Sequence, residues 1–336
     1  MTLPLGKLPT ELLDRLLQPH APADARVVLG PGPGLDCAVI EFGERLLVAT
    51  SDPVTFAADQ IGWYAVHVNA NDVATTGARP RWFLATLLLP EAGAQAGLAQ
   101  AILDQIGAAC AQVGASLVGG HTEVTAGLDR PIVAGTMLGE TTPARLITPR
   151  GARAGDRILL TKGVPLEGTS LLAREAADRL ASLPADLLAR ARGLLHQPGI
   201  SVVPEAMAAA AAGGVRAMHD PTEGGLVAGL WEMAEAAGLR AEVDPAALPV
   251  LPEGAAICAA LGLDPLATIA SGSLLLAVDP ARAQAVRQAI EAEGIPAVEI
   301  GALTEGSGVL RVEGARRRPW PRPARDEVAA FFERPR

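Results

Sequence analysis

Apolar residues at 61, 65, 66, 68, 70, 73 and 74 recur with the period of a helix, and Gly77 with Pro80 supplies the stop. Residues 61–77 are therefore predicted to be helical. This helix is small and apolar nearly throughout, yet its middle reads Asn69-Ala70-Asn71-Asp72. Asn69 and Asp72 are three apart and share a face. A carboxylate in so apolar a helix needs a partner, because an unpaired buried charge is costly. A metal ion or a bound polar ligand would supply one; an Asp on the wet side of an ordinary amphipathic helix is the alternative. His67 lies four residues before Asn71 on the same face and reads as a core or interface histidine, with catalysis as the alternative.

The same patterning organises the rest of the chain. Residues 7–18 form an amphipathic helix with Thr10 as N-cap and Pro19 as its end. In 27–40, Gly30, Gly32 and Gly34 alternate with prolines and lead to Asp36. Such glycines let backbone N–H groups approach an anion, although the run is neither a Walker A loop nor a dinucleotide fingerprint, and a plain loop is the alternative. A strand at 45–50 ends in Ser51-Asp52, an acid just past a strand's carboxyl end. A strand at 81–89, a helix at 95–113 closed by Gly114, a strand at 115–118 running into Gly119-Gly120-His121-Thr122-Glu123, and a strand at 131–139 follow.

Residues 141–156 are rich in Pro, Gly and Arg without periodicity and read as a junction, giving domains 1–145 and 146–336. A strand at 157–161 then leads to Lys162-Gly163, and Glu167-Gly168-Thr169-Ser170 opens a helix. Ser201 caps a helix over 201–212 that stops at Gly213-Gly214. Within 215–225, Thr222 is placed to cap a helix at 226–237, so that Asp220 and the free N–H groups of that helix meet at one point. A strand at 272–278, a helix at 281–293 and a strand at 297–302 complete the pattern. Strands alternating with helices in both halves predict an α/β class.

Composition narrows the function. The 336 residues suffice for two domains, and 49% are hydrophobic. No apolar run approaches the roughly 20 residues of a membrane-spanning helix. The first residues lack a basic region followed by a long apolar stretch, so cytoplasmic residence is expected. Cys37, Cys110 and Cys258 are far apart and form no Cys-x-x-Cys pair, which argues against structural zinc or a disulfide framework. Cys258 reads as a buried small residue, as does Cys37, for which a reactive thiol is the alternative. A net charge of −9 argues against nucleic acid, and the Arg316-Arg317-Arg318 cluster with Arg322 and Arg325 reads as solvated surface.

Asp36, Asp52, Asp72, Glu123 and Asp220 sit at element ends. Oxygen donors without a Cys/His pair suit Mg²⁺, which binds through a few carboxylates plus substrate phosphates. Gly-Leu-Asp-Cys-Ala-Val-Ile, Ala-Thr-Ser-Asp, Val-Asn-Ala-Asn-Asp-Val-Ala-Thr-Thr-Gly-Ala-Arg-Pro, Gly-Gly-His-Thr-Glu-Val-Thr and His-Asp-Pro-Thr-Glu-Gly-Gly-Leu occur in the order found in the aminoimidazole ribonucleotide (AIR) synthase superfamily. Over about residues 25–310 the chain resembles that PurM-like superfamily, most nearly its HypE branch.

The resemblance implies an N-terminal α/β domain that pairs with its twin in a homodimer, a C-terminal α/β domain, and bound ATP and Mg²⁺. It places Asp36, Asp52, Asp72, Glu123 and Asp220 at the metal, with Asp72, Asp220 and His121 taking part in the chemistry. For His121 a structural loop role stays open. Gly32, Gly34, Asn69, Asn71, Lys162, Thr222 and Gly224 would contact nucleotide or substrate. Two departures stand out. Relatives often carry two adjacent acids where this chain has Leu35-Asp36, and HypE proteins end on an acceptor cysteine, whereas no cysteine follows Cys258 here. The expected activity is ATP-dependent phosphorylation of an amide or carbonyl oxygen on a small-molecule or protein-borne acceptor. A small-molecule kinase resembling thiamine-monophosphate kinase and a non-catalytic nucleotide-binding regulator are the alternatives.

Overall fold

The computed structural model describes residues 8, 10–20, 22–32, 35–93 and 96–333. Two compact units divide it between Leu146 and Ile147; the smaller is Asp24–Gly30 with Asp36–Leu146, and the larger holds the remaining described residues. A first helix, α1 (Thr10–Leu17), belongs to the larger unit. Thr10, the expected cap, is already the first helical residue.

The smaller unit is a six-stranded sheet in the order β1 (Val27–Leu29), β2 (Ala38–Phe42), β3 (Arg45–Val54), β6 (Ile132–Thr141), β4 (Arg79–Pro90) and β5 (Ser116–Thr125). Two helices, α2 (Ile61–Thr75) and α3 (Ala96–Val113), pack with it. Strand β6 alternates buried and half-buried positions along its whole length, as a strand with one core face does. Its core face carries Gly135 and Gly139. A Cβ at Gly135 would fall 2.6 Å from Asn69 Nδ2, and one at Gly139 would collide with Val73. These glycines let α2 lie directly on the sheet, which is why a helix with polar groups in its middle is buried there.

Two expectations are corrected in this unit. Strand β3 runs four residues past 50, so Asp52 sits inside the strand, opposite Gly135 of β6. Gly119–Glu123 is not a loop; it continues β5, which pairs in parallel with β4. At Gly120, with φ of 147°, a Cβ would strike the Ala85 carbonyl, so the glycine serves strand contact.

The larger unit runs β7 (Arg157–Thr161), α4 (Leu166–Glu175), α5 (Ala185–Gly193), α6 (Val203–Ala212), β8 (Val215–His219), α7 (Gly225–Ala237), β9 (Arg240–Val243), α8 (Pro252–Leu261), β10 (Leu275–Val278), α9 (Ala283–Ala292), β11 (Ala297–Thr304), β12 (Gly308–Glu313), β13 (Arg316–Pro319) and α10 (Glu327–Glu333). The sheet order is β13-β12-β9-β11-β7-β10-β8. Residues of β7, β8, β10 and β11 form one buried cluster with Leu226, Val227, Leu230 and Met233 of α7, closed by Trp320. Ser201 lies before α6 and its hydroxyl accepts the Val203 N–H. Arg316–Arg318, expected as plain surface, is an exposed edge strand whose Arg317 pairs with Glu242. No helix among the described residues is long and apolar enough to cross a membrane.

Candidate functional site

In the smaller unit the polar face of α2 lies against one face of β3. Asn69 Oδ1 accepts the Asp52 N–H at 2.9 Å, and its Nδ2 donates to the carbonyls of Asp52 and Ala65. Asn69, expected at the nucleotide, is thus spent on holding Asp52 in place. Two residues back on the same strand face, the Thr50 hydroxyl lies 3.0 Å from Asp72 Oδ2, 3.4 Å from Asp52 Oδ2 and 2.8 Å from the Asp36 carbonyl. A hydroxyl has one proton to give. Three acceptors, two of them carboxylates, therefore converge on it, and two carboxylates meeting at one point is an arrangement that suits a hard cation.

Asp72 is 5% exposed, which removes the surface alternative. Asn71 is fully buried, and His67 is buried with its ring edge-on to Trp63. The buried Cys37 thiol reports the same charge. Burial, then Asp72, Asp36 and Asp52, push it well above its ordinary range, against an opposing bond from Thr50. It stays protonated, so the packing role holds over the reactive one.

Glu123 stands apart. It lies on β5, three strand spacings from β3, or about 14 Å. There it is exposed and pairs with His121 at 3.1 Å, so within one chain neither joins the group around Thr50. Among the described residues, no three His, Cys, Asp or Glu side chains are gathered closely enough to hold a metal on their own. Such an arrangement fits Mg²⁺ held partly by water and phosphate better than an ion caged by protein.

In the larger unit, Lys162 is corrected. Its Nζ donates to the carbonyls of Ser201 and Gly272 and pairs with Glu205 at 2.8 Å, both side chains being essentially buried. All three ammonium protons are engaged, so in this structure Lys162 ties elements together instead of offering a donor to nucleotide. Asp220 Oδ1 accepts the Gly272 N–H at 3.2 Å, and His219 Nε2 lies 2.9 Å from Glu232.

The expected cradle of free N–H groups at the start of α7 is largely filled. The N-cap position belongs to Gly224, whose N–H donates to Asp326 at 2.8 Å. Thr222 lends its carbonyl to the Gly225 N–H, and the Leu266 carbonyl takes the Val227 N–H. Gly32 accepts the Leu35 N–H, and Gly34 lies outside the described residues.

Two acids that the sequence did not single out for the site are buried here. Burial pushes Asp326 up to about 7, against the N–H bonds from Gly224 and Val328. Burial pushes Glu167 from 4.5 up to about 8; the Ser271 hydroxyl opposes this, and Asp220, Glu223 and Asp326 add to it. A carboxyl raised this way costs no stability below pH 4.5, where it is protonated folded and unfolded alike. The cost grows as pH rises and is complete above about 8. Glu167→Gln is therefore expected to stabilise the protein at pH 9 by up to about 5 kcal/mol and to change little at pH 4.5. Urea melts at the two pH values check this, and equal effects would contradict it.

Comparison with known proteins gives a consistent picture. The family profile described as "AIR synthase related protein, N-terminal domain" matches residues 34–141, and "AIR synthase related protein, C-terminal domain" matches 153–313. A carbamoyl dehydratase HypE of Cupriavidus necator is 34% identical over 272 residues, covering 78% of this chain and 74% of its own. A carbamoyl dehydratase HypE of Rhodobacter capsulatus is 33% identical over 289 residues, with coverages of 83% and 82%. Among solved structures, a hydrogenase maturation protein HypE in complex with ATP superposes with a TM-score of 0.70 at 24% identity, covering 93% of this chain and 91% of that one. A ThiL protein complexed with AMPPCP and TMP gives 0.72 at 22% identity, with coverages of 92% and 97%. These two likenesses show the fold.

Proposed function

This chain belongs to the AIR synthase-related family, and on that premise we propose that it is an ATP- and Mg²⁺-dependent enzyme that phosphorylates an amide or carbonyl oxygen so that the oxygen can leave as phosphate. The observation that carries this reading is the convergence of the Asp52 and Asp72 carboxylates on the Thr50 hydroxyl, with the Asp36 carbonyl beside them. Asp52 and Asp72 would hold the metal together with water and phosphate, and Asp36, whose carbonyl meets Thr50, is the third acid proposed near it. When bound, Mg²⁺ offsets the charge of the phosphate chain and of the group in transfer. Asn69 keeps the Asp52 backbone fixed, and α2 keeps water from the buried side of Asp72. In the larger unit, taken by itself, Asp220 and Thr222 are proposed to contact nucleotide. The amide-type acceptor is supported by the relatives named carbamoyl dehydratase at 33–34% identity.

The test is release of ADP from ATP and Mg²⁺, measured with carbamoyl- and amide-bearing acceptors and with a phosphate-monoester acceptor. Stimulation by the first group supports the proposal. Stimulation by the monoester alone favours a kinase, and binding without turnover under every condition favours a regulator.

The homodimer belongs to the same proposal. Strand β5 is the sheet edge, and its Leu117, Val118 and Val124 are exposed. An unpaired edge carrying apolar side chains is a template for another strand. A second copy paired there would also bring its own Glu123 and His121 to the interface. Leu117→Lys with Val124→Glu is expected to turn dimer into monomer in sedimentation experiments; a mass unchanged by these substitutions would contradict this.

A further inference from the structure

The C-terminal segment touches the 219–225 motif from two sides. On one side, Arg322 forks between Glu232 at 3.0 Å and Glu235 at 2.9 Å, and the other oxygen of Glu232 lies 2.9 Å from His219 Nε2. On the other, the carboxylate of Asp326, itself 5% exposed, divides its two oxygens between elements. Oδ1 accepts the Val328 N–H and caps α10, while Oδ2 accepts the Gly224 N–H at the start of α7. The segment is also tied to α7 through the Trp231 indole, which donates to the Trp320 carbonyl, and it is seated by buried Trp320, Val328 and Phe331. His219 and Gly224 bracket Asp220 and Thr222.

A carboxylate spent only on capping α10 would need one oxygen. An Arg needed only for surface solvation would not be forked onto the one Glu that faces His219. Both side chains act instead on the two ends of the same loop, and neither occupies its centre.

We propose that residues 320–333 are a positioning element for the 219–225 loop: Arg322, through Glu232, sets the His219 ring, and Asp326 fixes the Gly224 amide, so that Asp220 and Thr222 meet the nucleotide in one arrangement. This rests on the nucleotide reading above. A charged fork holding Glu232 also fixes which oxygen His219 meets, and an external carboxylate at the N-terminus of α7 stabilises that helix without help from Thr222. Arg322 and Asp326 touch no reacting atom in this account; they act through Glu232, His219 and Gly224.

The test uses the full chain with Arg322→Gln, Arg322→Lys and Asp326→Ala. Three readouts are taken: the His219 ring resonances by NMR at one pH, Mg²⁺-ATP affinity by calorimetry, and the thermal midpoint. Arg322→Gln is expected to shift the His219 ring resonances and to weaken nucleotide binding about tenfold, the size usual for an outer-shell partner, with the midpoint nearly unchanged. Arg322→Lys restores part of both, and Asp326→Ala weakens binding by a similar factor. Unchanged His219 resonances and affinity would overturn the proposal. Tighter binding by Asp326→Ala would also overturn it, identifying Asp326 as a competitor for the Gly224 amide. If the wild-type chain binds no nucleotide, the reading of function fails, and the His219 resonances still decide the positioning role.

Discussion

Asp72→Asn is expected to weaken Mg²⁺-dependent nucleotide binding by about 100-fold or more, the loss typical when one preorganised charge-stabilising group is removed. Asparagine keeps the shape of the side chain and an oxygen for the Thr50 hydroxyl, so α2 should stay seated on β3 and the thermal midpoint should move little. What disappears is the negative charge. With it goes one of the two converging charges on which the proposed cation site at Thr50 depends. The buried setting makes the effect large, because a charge there is poorly screened by water. Calorimetric titration of the variant checks the outcome, and retention of near-wild-type affinity would remove Asp72 from the metal.

Lys162→Met should act on the fold. It strips the cationic partner from Glu205, whose side chain has no solvent exposure, leaving Oε1 only the Thr161 hydroxyl at 3.2 Å and Oε2 without a hydrogen-bond partner among the described residues. Breaking a buried pair in this way costs about 3–5 kcal/mol. For a unit of this size that corresponds to a fall of roughly 10 °C in the melting temperature. Adding Glu205→Met should recover much of the loss, since two apolar side chains of similar volume replace a buried pair at little net cost. Urea or thermal melts of the single and double variants check this. A single variant within 1 kcal/mol of wild type would show that the three contacts of Lys162 do not hold β7, α6 and the Gly272 loop together.

The helix at 61–77 was legible because its apolar period is strong and its stops are clear, and its face-sharing pair does meet one strand face. Less legible was what each polar residue does there. Nothing in Asn69 or Thr50 marks one as the clamp on Asp52 and the other as the shared donor, since both roles depend on β3 lying under α2. The strand was expected to end at Val118 because a glycine pair follows it, whereas here the tight β4–β5 contact requires Gly120 inside the strand. Lys162 followed a strand and preceded a glycine, a pattern shared by phosphate-binding and purely structural lysines. Only the position of Glu205, 43 residues on, separates the two. Asp326 carried a local signal, an acid just before a short apolar helix, and that signal locates its cap on α10. Its bond to Gly224 spans 102 residues, a distance at which no sequence period operates.

The proposed function requires magnesium-dependent binding of nucleotide at Asp36, Asp52 and Asp72. The most direct measurement is titration of ATP into the wild-type chain by calorimetry, with Mg²⁺ present and again with the metal chelated. The account predicts saturable binding that is lost on chelation. Binding equally tight without the metal, or no binding in its presence, would contradict it.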